Sequence, residues 1–315
     1  MSRDIERAVI WADGEREATA ALAFGGRCVG DHEESRLWIY HEVEGLGEVH
    51  RELLYPYAAL GEDDRGFEQA VLGAGKRLVM ERLGLDGWRG PAIQEVVVRG
   101  RGQGGWRAFL EDQAVDLAVI TDPHRRALEE GRVPVAVVRG YETEPRVERV
   151  LIVLEVEADE ARDREVMDVG LEMARRWGAT VEVLGVVHAP SVQRSSMVRR
   201  VLPVDRQGLQ EQLAGAVQGR WEALVEAMGI GDVAGVPEKI AVAVGDGASV
   251  VGEQAAAVGA DLVVVGRGEA RRGSALGMSR MSAAIVDEVG RHLVVVPPRH
   301  RSTPLGQWRG DSGGR

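Results

Sequence analysis

The chemistry this chain could perform is concentrated in its glycine-rich turns. GRGQGG (100–105) is a literal G-x-G-x-x-G that follows the apolar run VVV and precedes a helical pattern. Asp122 ends the next strand about twenty residues on, as in a dinucleotide fingerprint. The motif sits late in its unit rather than on a first strand, and bulky Trp106 follows the third glycine, where close helix–strand packing is wanted. Glycines that merely permit a tight strand-to-helix turn are the alternative. A second glycine-rich loop lies in VVVGRGEARRGSALGMSRMSAAIVDEVGRHLVVVPP (263–298), between a strand end and a helix start. Backbone N–H groups and a positive helix end suit phosphate there. Arg267, Arg271, Arg272 and Arg280 add charge for an anion; the alternative is a solvated loop. Asp13 ends a first strand, where an acid either accepts hydrogen bonds from a ligand or caps the following helix.

Other chemistries are poorly provided for. Lys76 and Lys239 are the only lysines. Lys76 fails as a phosphate-loop lysine, because Ala70 and Arg77 stand where glycine and Ser or Thr belong. Cys28 is the single cysteine, which excludes an intrachain disulfide and a thiolate cluster, and its Ala/Gly-rich setting predicts an inert buried thiol. His32, His41, His50, His124, His188, His292 and His300 show no metal-binding spacing, so no metal is expected. No G-x-S-x-G elbow is present, and DSGG (311–314) has no strand before it. The balance of 39 basic and 50 acidic residues, net −11, opposes nucleic acid and anionic membranes. MSRDIERAVIW lacks the layout of a secretory signal, and no apolar run spans a membrane, so a cytoplasmic, reducing setting is expected.

The elements that must position these loops repeat. AVIWAD (8–13), a helical stretch and RLWIYHEV (36–43) open the first half. VLIVLEVE (150–157), a helix around 167–179 and VEVLGVVHAP (181–190) open the second. Each half then has a long helix, near 66–84 or 207–228, and a strand, VVVRG (96–100) or VAVG (242–245). A short helix, then DLAVIT (116–121) or DLVVVG (261–266), precedes the last strand, VPVAVVRG (133–140) or HLVVVPP (292–298). Strands apolar on both faces, alternating with helices, predict an α/β fold of doubly wound, mainly parallel sheets with helices on both faces. YETEPRVE (141–148) reads as a linker, and the tail from Arg299 lacks periodicity.

AVAVGDGASVVGEQAAAVGADLVVVG…SAAIVDEVGRHLVVVPP, with VLIVLEVE…GLEMARRWGATVEVLGVVHAP before it, resembles a universal stress protein domain. AVIWADGEREATAALA, EVVVRGRGQGGWRAFLEDQAVDLAVIT and RRALEEGRVPVAVVRG resemble it in the first half. The resemblance implies tandem domains at 1–142 and 146–300, each a five-stranded sheet; the aperiodic stretch 301–315 is expected to be a mobile tail. It also implies a stress-response binding or regulatory module rather than an enzyme. Some members bind ATP through an Asp ending the first strand, a turn glycine and G-x-x-G-x9-G-[ST]. In the first copy Asp13 and Gly100 match, but the chain passes from strand 116–121 into Asp122-Pro123 and the last helix, so the phosphate loop is deleted. In the second copy Gly245 and Gly266 match, while Glu155, Glu269, Ser279 and Arg280 stand where Asp, Gly, Gly and Ser/Thr belong. Gly268 and Gly277 restore part of the cradle if the loop shifts, and Ser282 agrees downstream. The candidate nucleotide site is thus Gly245, Asp246, Gly266, Gly268, Gly277 and Ser282, with Asp13 in the first copy.

The leading expectation is a tandem module with weak or absent nucleotide binding, because Glu269 brings like charge toward phosphate. The alternative is an ATP- or AMP-binding switch, with Mg²⁺, using the second copy's glycine loop. A nicotinamide oxidoreductase built on GRGQGG, and an amphipathic anion held near SVQRSSMVRRVLPVDR (191–206), are further readings. The family pairs through its last strands, which implies antiparallel pairing of 133–138 with 292–297 within one molecule, an intramolecular pseudo-dimer. A homodimer, a regulatory protein or a small ligand remain as partners.

Overall fold

Runs such as RAVIW and LVVVG carry branched side chains on both strand faces, so they are stable only where both faces are covered. The computed structural model describes residues 4–11, 15–29, 34–44, 92–100, 104–121, 128, 132–140, 145–155, 160–188, 206–231, 236–245, 247–267 and 280–298. Its first half comprises β1 (Arg7–Trp11), α1 (Glu15–Cys28), β2 (Arg36–Glu44), β3 (Ala92–Gly100), α2 (Gly104–Asp112), β4 (Leu117–Thr121) and β5 (Val135–Val138). The second comprises β6 (Arg149–Glu155), α3 (Glu160–Trp177), β7 (Thr180–His188), α4 (Arg206–Met228), β8 (Ala241–Gly245), α5 (Gly247–Val258), β9 (Leu262–Gly266), α6 (Arg280–Glu288) and β10 (His292–Val296). The helix expected near 66–84, the segment 191–205 and the tail 301–315 lie outside the described residues.

All ten described strands belong to one sheet, in the order β3-β2-β1-β4-β5-β10-β9-β6-β7-β8. Two separate five-stranded sheets would have left two apolar edges, and joining them removes both. Every pairing is parallel except the central one, where β10 runs antiparallel to β5 with Leu293 opposite Val137, Val294 opposite Ala136 and Val295 opposite Val135. Strands 133–138 and 292–297, expected to meet edge to edge, thus do so through these residues. Each half has the same order about its first strand, which lies between its second and fourth.

Alternate residues of each strand feed two cores. Ala8, Ile10, Leu117, Val119, Ile152 and Val264 face α1, α3 and α4, while Val9, Ala118, Ile120, Val153 and Val265 face α2, α5 and α6. The two halves also pin their amino ends alike. Asp116 Oδ2 accepts the Glu6 and Arg7 N–H groups at 3.2 and 3.0 Å. Asp261 Oδ2 accepts those of Glu148 and Arg149 at 2.9 and 3.1 Å.

Helix ends differ between the halves in an instructive way. Beyond α5 the chain turns at Gly259, φ 64°, whereas beyond α2 the same turn is made by Ala114 at φ 48°. The left-handed conformation costs an L side chain about 1–2 kcal/mol. Ala114→Gly is therefore expected to stabilise the protein by up to ~1 kcal/mol, read as a higher urea midpoint at constant m. An unchanged or lower midpoint would contradict the strain.

The halves interlock beyond the sheet. Phe24 of α1 lies 5.4 Å from the Trp177 ring of α3. The Cys28 thiol lies 3.6 Å from Met173 Sδ, and complete burial pushes it up to about 12, against smaller opposing effects of Trp177 and nearby arginines. Only thiolate reacts, so Cys28 is expected to resist iodoacetamide at pH 8 in the native protein and to react on unfolding; native alkylation within minutes would contradict this. Arg139 of the first half donates its guanidinium to Val286 O in α6, and its N–H to His292 Nδ1 at 3.1 Å. His292 is the first residue of β10.

Candidate functional site

In an open α/β sheet, ligand crevices form at the carboxyl ends where strand order reverses. Here those points are β6/β9 in the second half and β1/β4 in the first.

At the β6/β9 end, Glu155 is the last residue of β6 and Gly266 the last of β9. The helix after β6 begins with acidic residues at Glu160 and Asp163, which suit its positive amino end. That first turn brings Arg162 back over the strands. Its Nη1 donates to Glu155 Oε2 at 3.1 Å, and its Nη2 to Glu155 Oε1 at 2.9 Å and Gly266 O at 2.9 Å. The side chains of Arg162 and Glu155 retain 14% and 23% exposure, so the pair is largely enclosed but reaches solvent.

Gly266 is the floor of this arrangement. A Cβ there would lie 2.7 Å from Arg162 Nε, 3.0 Å from Nη2 and 3.1 Å from Val166 Cγ2. The position matched to a phosphate-binding glycine therefore carries a guanidinium. Gly266→Ala is expected to push Arg162 off Glu155 and cost about 1–3 kcal/mol, measured by urea unfolding. A cost below about 0.5 kcal/mol would mean that Arg162 yields without loss.

Of the other candidates, the structure describes Gly245, which it places apart from Gly266. Gly245 ends β8, with β6 and β7 between it and β9, and a Cβ there would meet Val250 Cγ2 at 2.9 Å. It is the glycine that lets α5 approach its strand. Ser282 lies in α6, where its side chain is outside the described residues. Asp13, Asp246, Gly268, Gly277, Glu269 and Ser279 are outside them too, as are Arg271 and Arg272. Arg267, expected to add charge for an anion, is engaged with the first half. Its Nη1 donates to Leu128 O in the other half at 2.9 Å, and burial lowers its guanidinium below the ordinary value.

The β1/β4 end is built of rings. Trp11, last in β1, lies 5.3 Å from Tyr40 and 4.9 Å from Trp106, and Tyr40 lies 5.0 Å from Trp106. Phe109 closes on Tyr40 at 5.5 Å and Trp38 at 6.0 Å. In the second half the corresponding places on β6, β7 and α5 hold Val153, Leu184 and Val251. Trp106 is 1% exposed and fills the helix–strand contact that a dinucleotide fingerprint keeps narrow. Thr121, last in β4, is buried, and its Oγ1 has no hydrogen-bond partner among the described residues.

Sequence reasoning missed Arg162 and the ring cluster. Glu155 in place of an Asp, followed by an arginine in the next helix, was the available signal for the first. Tryptophan at strand ends was the signal for the second.

Elsewhere, an open groove of about 410 Å³ lies among Ala23, Arg27, Pro145, Arg146, Val147, Glu148 and Trp177, away from both crevices. No group of three or more His, Cys, Asp or Glu able to hold a metal occurs among the described residues. Nor is any described helix long and apolar enough to cross a membrane.

Three solved structures share the architecture. A universal stress protein from Archaeoglobus fulgidus DSM 4304 superposes with TM-score 0.56 at 11% identity, covering 93% of this chain and 98% of that one. A protein from Pseudomonas aeruginosa UCBPP-PA14, described as a universal stress protein, gives 0.55 at 12% identity with 93% of each chain covered. A functionally unknown protein from Pseudomonas aeruginosa PAO1 gives 0.54 at 12% identity, covering 93% and 92%. At such identities the likeness is one of fold. No curated protein matches the chain. The family model described as Universal stress protein family matches residues 147–308, just over half of the sequence and the whole of β6 to β10. On that match, the chain belongs to the universal stress protein family.

Proposed function

We propose that this chain is a stress-response binding and regulatory module, not an enzyme, made of two tandem copies of one domain arranged as an intramolecular pseudo-dimer, with weak or absent nucleotide binding. The observation that carries this reading is the Arg162–Glu155 pair lying on Gly266. A triphosphate cradle needs a glycine surface and backbone N–H groups open to the ligand. Here Arg162, held by Glu155, covers the surface of Gly266. The rings at β1/β4 support the same reading for the first half, since Trp11, Tyr40 and Trp106 occupy space that the second half fills with aliphatic residues. The partner in this reading is a regulatory protein or a small ligand other than a nucleotide.

Calorimetric titration of the full chain with ATP or AMP, with and without Mg²⁺, tests it. The expected result is no saturable heat up to millimolar nucleotide. Stoichiometric binding with a dissociation constant below about 100 μM, worth more than about 5 kcal/mol, would overturn the reading in favour of an ATP- or AMP-binding switch in the second copy.

A further inference from the structure

The Arg162–Glu155 pair has the form of an occupied receptor. Both terminal nitrogens of the guanidinium face the two carboxylate oxygens side by side, at 3.1 and 2.9 Å, and Nη2 is held by Gly266 O at the same time. This parallel two-bond geometry is also how arginine takes phosphate and free carboxylate. The neighbouring acids of α3 are bonded to other arginines: Glu160 to Arg164 at 2.6 Å, and Asp163 to Arg220. The guanidinium lies over the bare Cα of Gly266, where a Cβ would stand 2.7 Å from its Nε, so its place depends on packing as well as on charge. The pair retains some exposure, so a small anion can reach it without unfolding of the sheet.

We propose that Arg162 is an oxyanion-binding group whose site is filled by the chain's own Glu155, and that a phosphate-sized oxyanion takes the site when the Glu155 carboxylate is removed or neutralised. Glu155 is then an internal ligand, and the crevice is closed by occupancy rather than by collapse. This rests on and deepens the reading that nucleotide binding is weak or absent, and it names the chemistry that competes for the same place.

The test is thermal unfolding of the full-length wild type, Glu155→Gln and the double variant Glu155→Gln/Arg162→Gln, each in inorganic phosphate and in sodium chloride of equal ionic strength. Removing the carboxylate takes two charge-assisted bonds from a largely enclosed guanidinium, a cost that an added oxyanion relieves. Phosphate at ten times its dissociation constant stabilises by RT ln 11. The expected result is a phosphate-specific rise of several degrees in Glu155→Gln, at least tenfold tighter phosphate binding than in wild type, and loss of the rise in the double variant.

An equal response of Glu155→Gln and wild type, or a response that survives in the double variant, overturns the proposal. Should Glu155→Gln fail to fold in plain buffer, Glu155→Ala refolded in phosphate or acetate gives the same answer. Recovery with either anion but not with chloride supports it, and no recovery overturns it. The outcome is separable from the nucleotide titration. Wild-type ATP binding would defeat the functional reading with this contrast intact, whereas a flat response in Glu155→Gln would defeat only the present inference.

Discussion

Replacing Trp106 by alanine is expected to destabilise the protein by about 3–5 kcal/mol, the range for a buried Trp or Phe truncated in a core. Trp106 is 1% exposed in the core facing α2, α5 and α6. Its ring meets Trp11 at 4.9 Å and Tyr40 at 5.0 Å, and such pairs add roughly 0.5–1.5 kcal/mol beyond the area they bury. The indole N–H has no hydrogen-bond partner among the described residues. Trp106→Phe therefore loses volume but no bond, and about 1–2 kcal/mol is expected for it. Urea unfolding followed by circular dichroism measures both. A loss under 1 kcal/mol for Trp106→Ala would mean that the ring cluster closes over the gap.

Glu172→Ala is the second large effect, at about 2–4 kcal/mol. The Glu172 side chain is 1% exposed and binds two arginines: Arg175 through Nε at 2.8 Å and Nη2 at 2.7 Å, and Arg176 through Nε at 2.6 Å. Breaking a fully buried pair costs about 3–5 kcal/mol. Arg176 is 12% exposed but Arg175 is 56% exposed, so solvent screens part of the loss and the lower range applies.

Burial by itself would raise the Glu172 carboxyl, but hydrogen bonds from Arg175 and Arg176 outweigh it and hold the group below its ordinary 4.5. A depressed carboxylate stabilises the fold above its unfolded value, and that stability is lost as pH falls through the folded one. Wild type should accordingly lose stability between pH 5 and 3 (roughly the range about an unfolded glutamate) more steeply than Glu172→Gln. Equal slopes for the two proteins would remove Glu172 from the acid response.

The strands were legible because their chemistry is local. β6 and β7 fall within two residues of the apolar runs that announced them, and β10 begins where its run does. Helix α3 was harder: its periodic stretch suggested 167, but it begins at Glu160. The intervening ARDREV carries four charges and hides the apolar period, yet Asp163 and Glu165 are buried. Arg220, a whole strand and helix away, is what lets Asp163 sit there, and no spacing rule reveals such a partner. Arg162 was hidden from sequence reasoning for the same reason. A glycine spacing can be matched along a chain, but the guanidinium on Gly266 comes from another element, and Arg267, charged and next to the glycine, is sent to Leu128.

The antiparallel junction of β5 and β10 bears on how this molecule can vary. Were the halves identical chains meeting about a symmetry axis, every substitution at the junction would be made twice and would face its own copy. In a single chain each junction residue occurs once. Arg139 answers to Val286 and His292, and Arg267 to Leu128, so neither change is doubled and neither contact has to be self-complementary. Each half is thereby held to a different set of neighbours, and the two crevices are free to diverge, one filled with rings and the other with an ion pair.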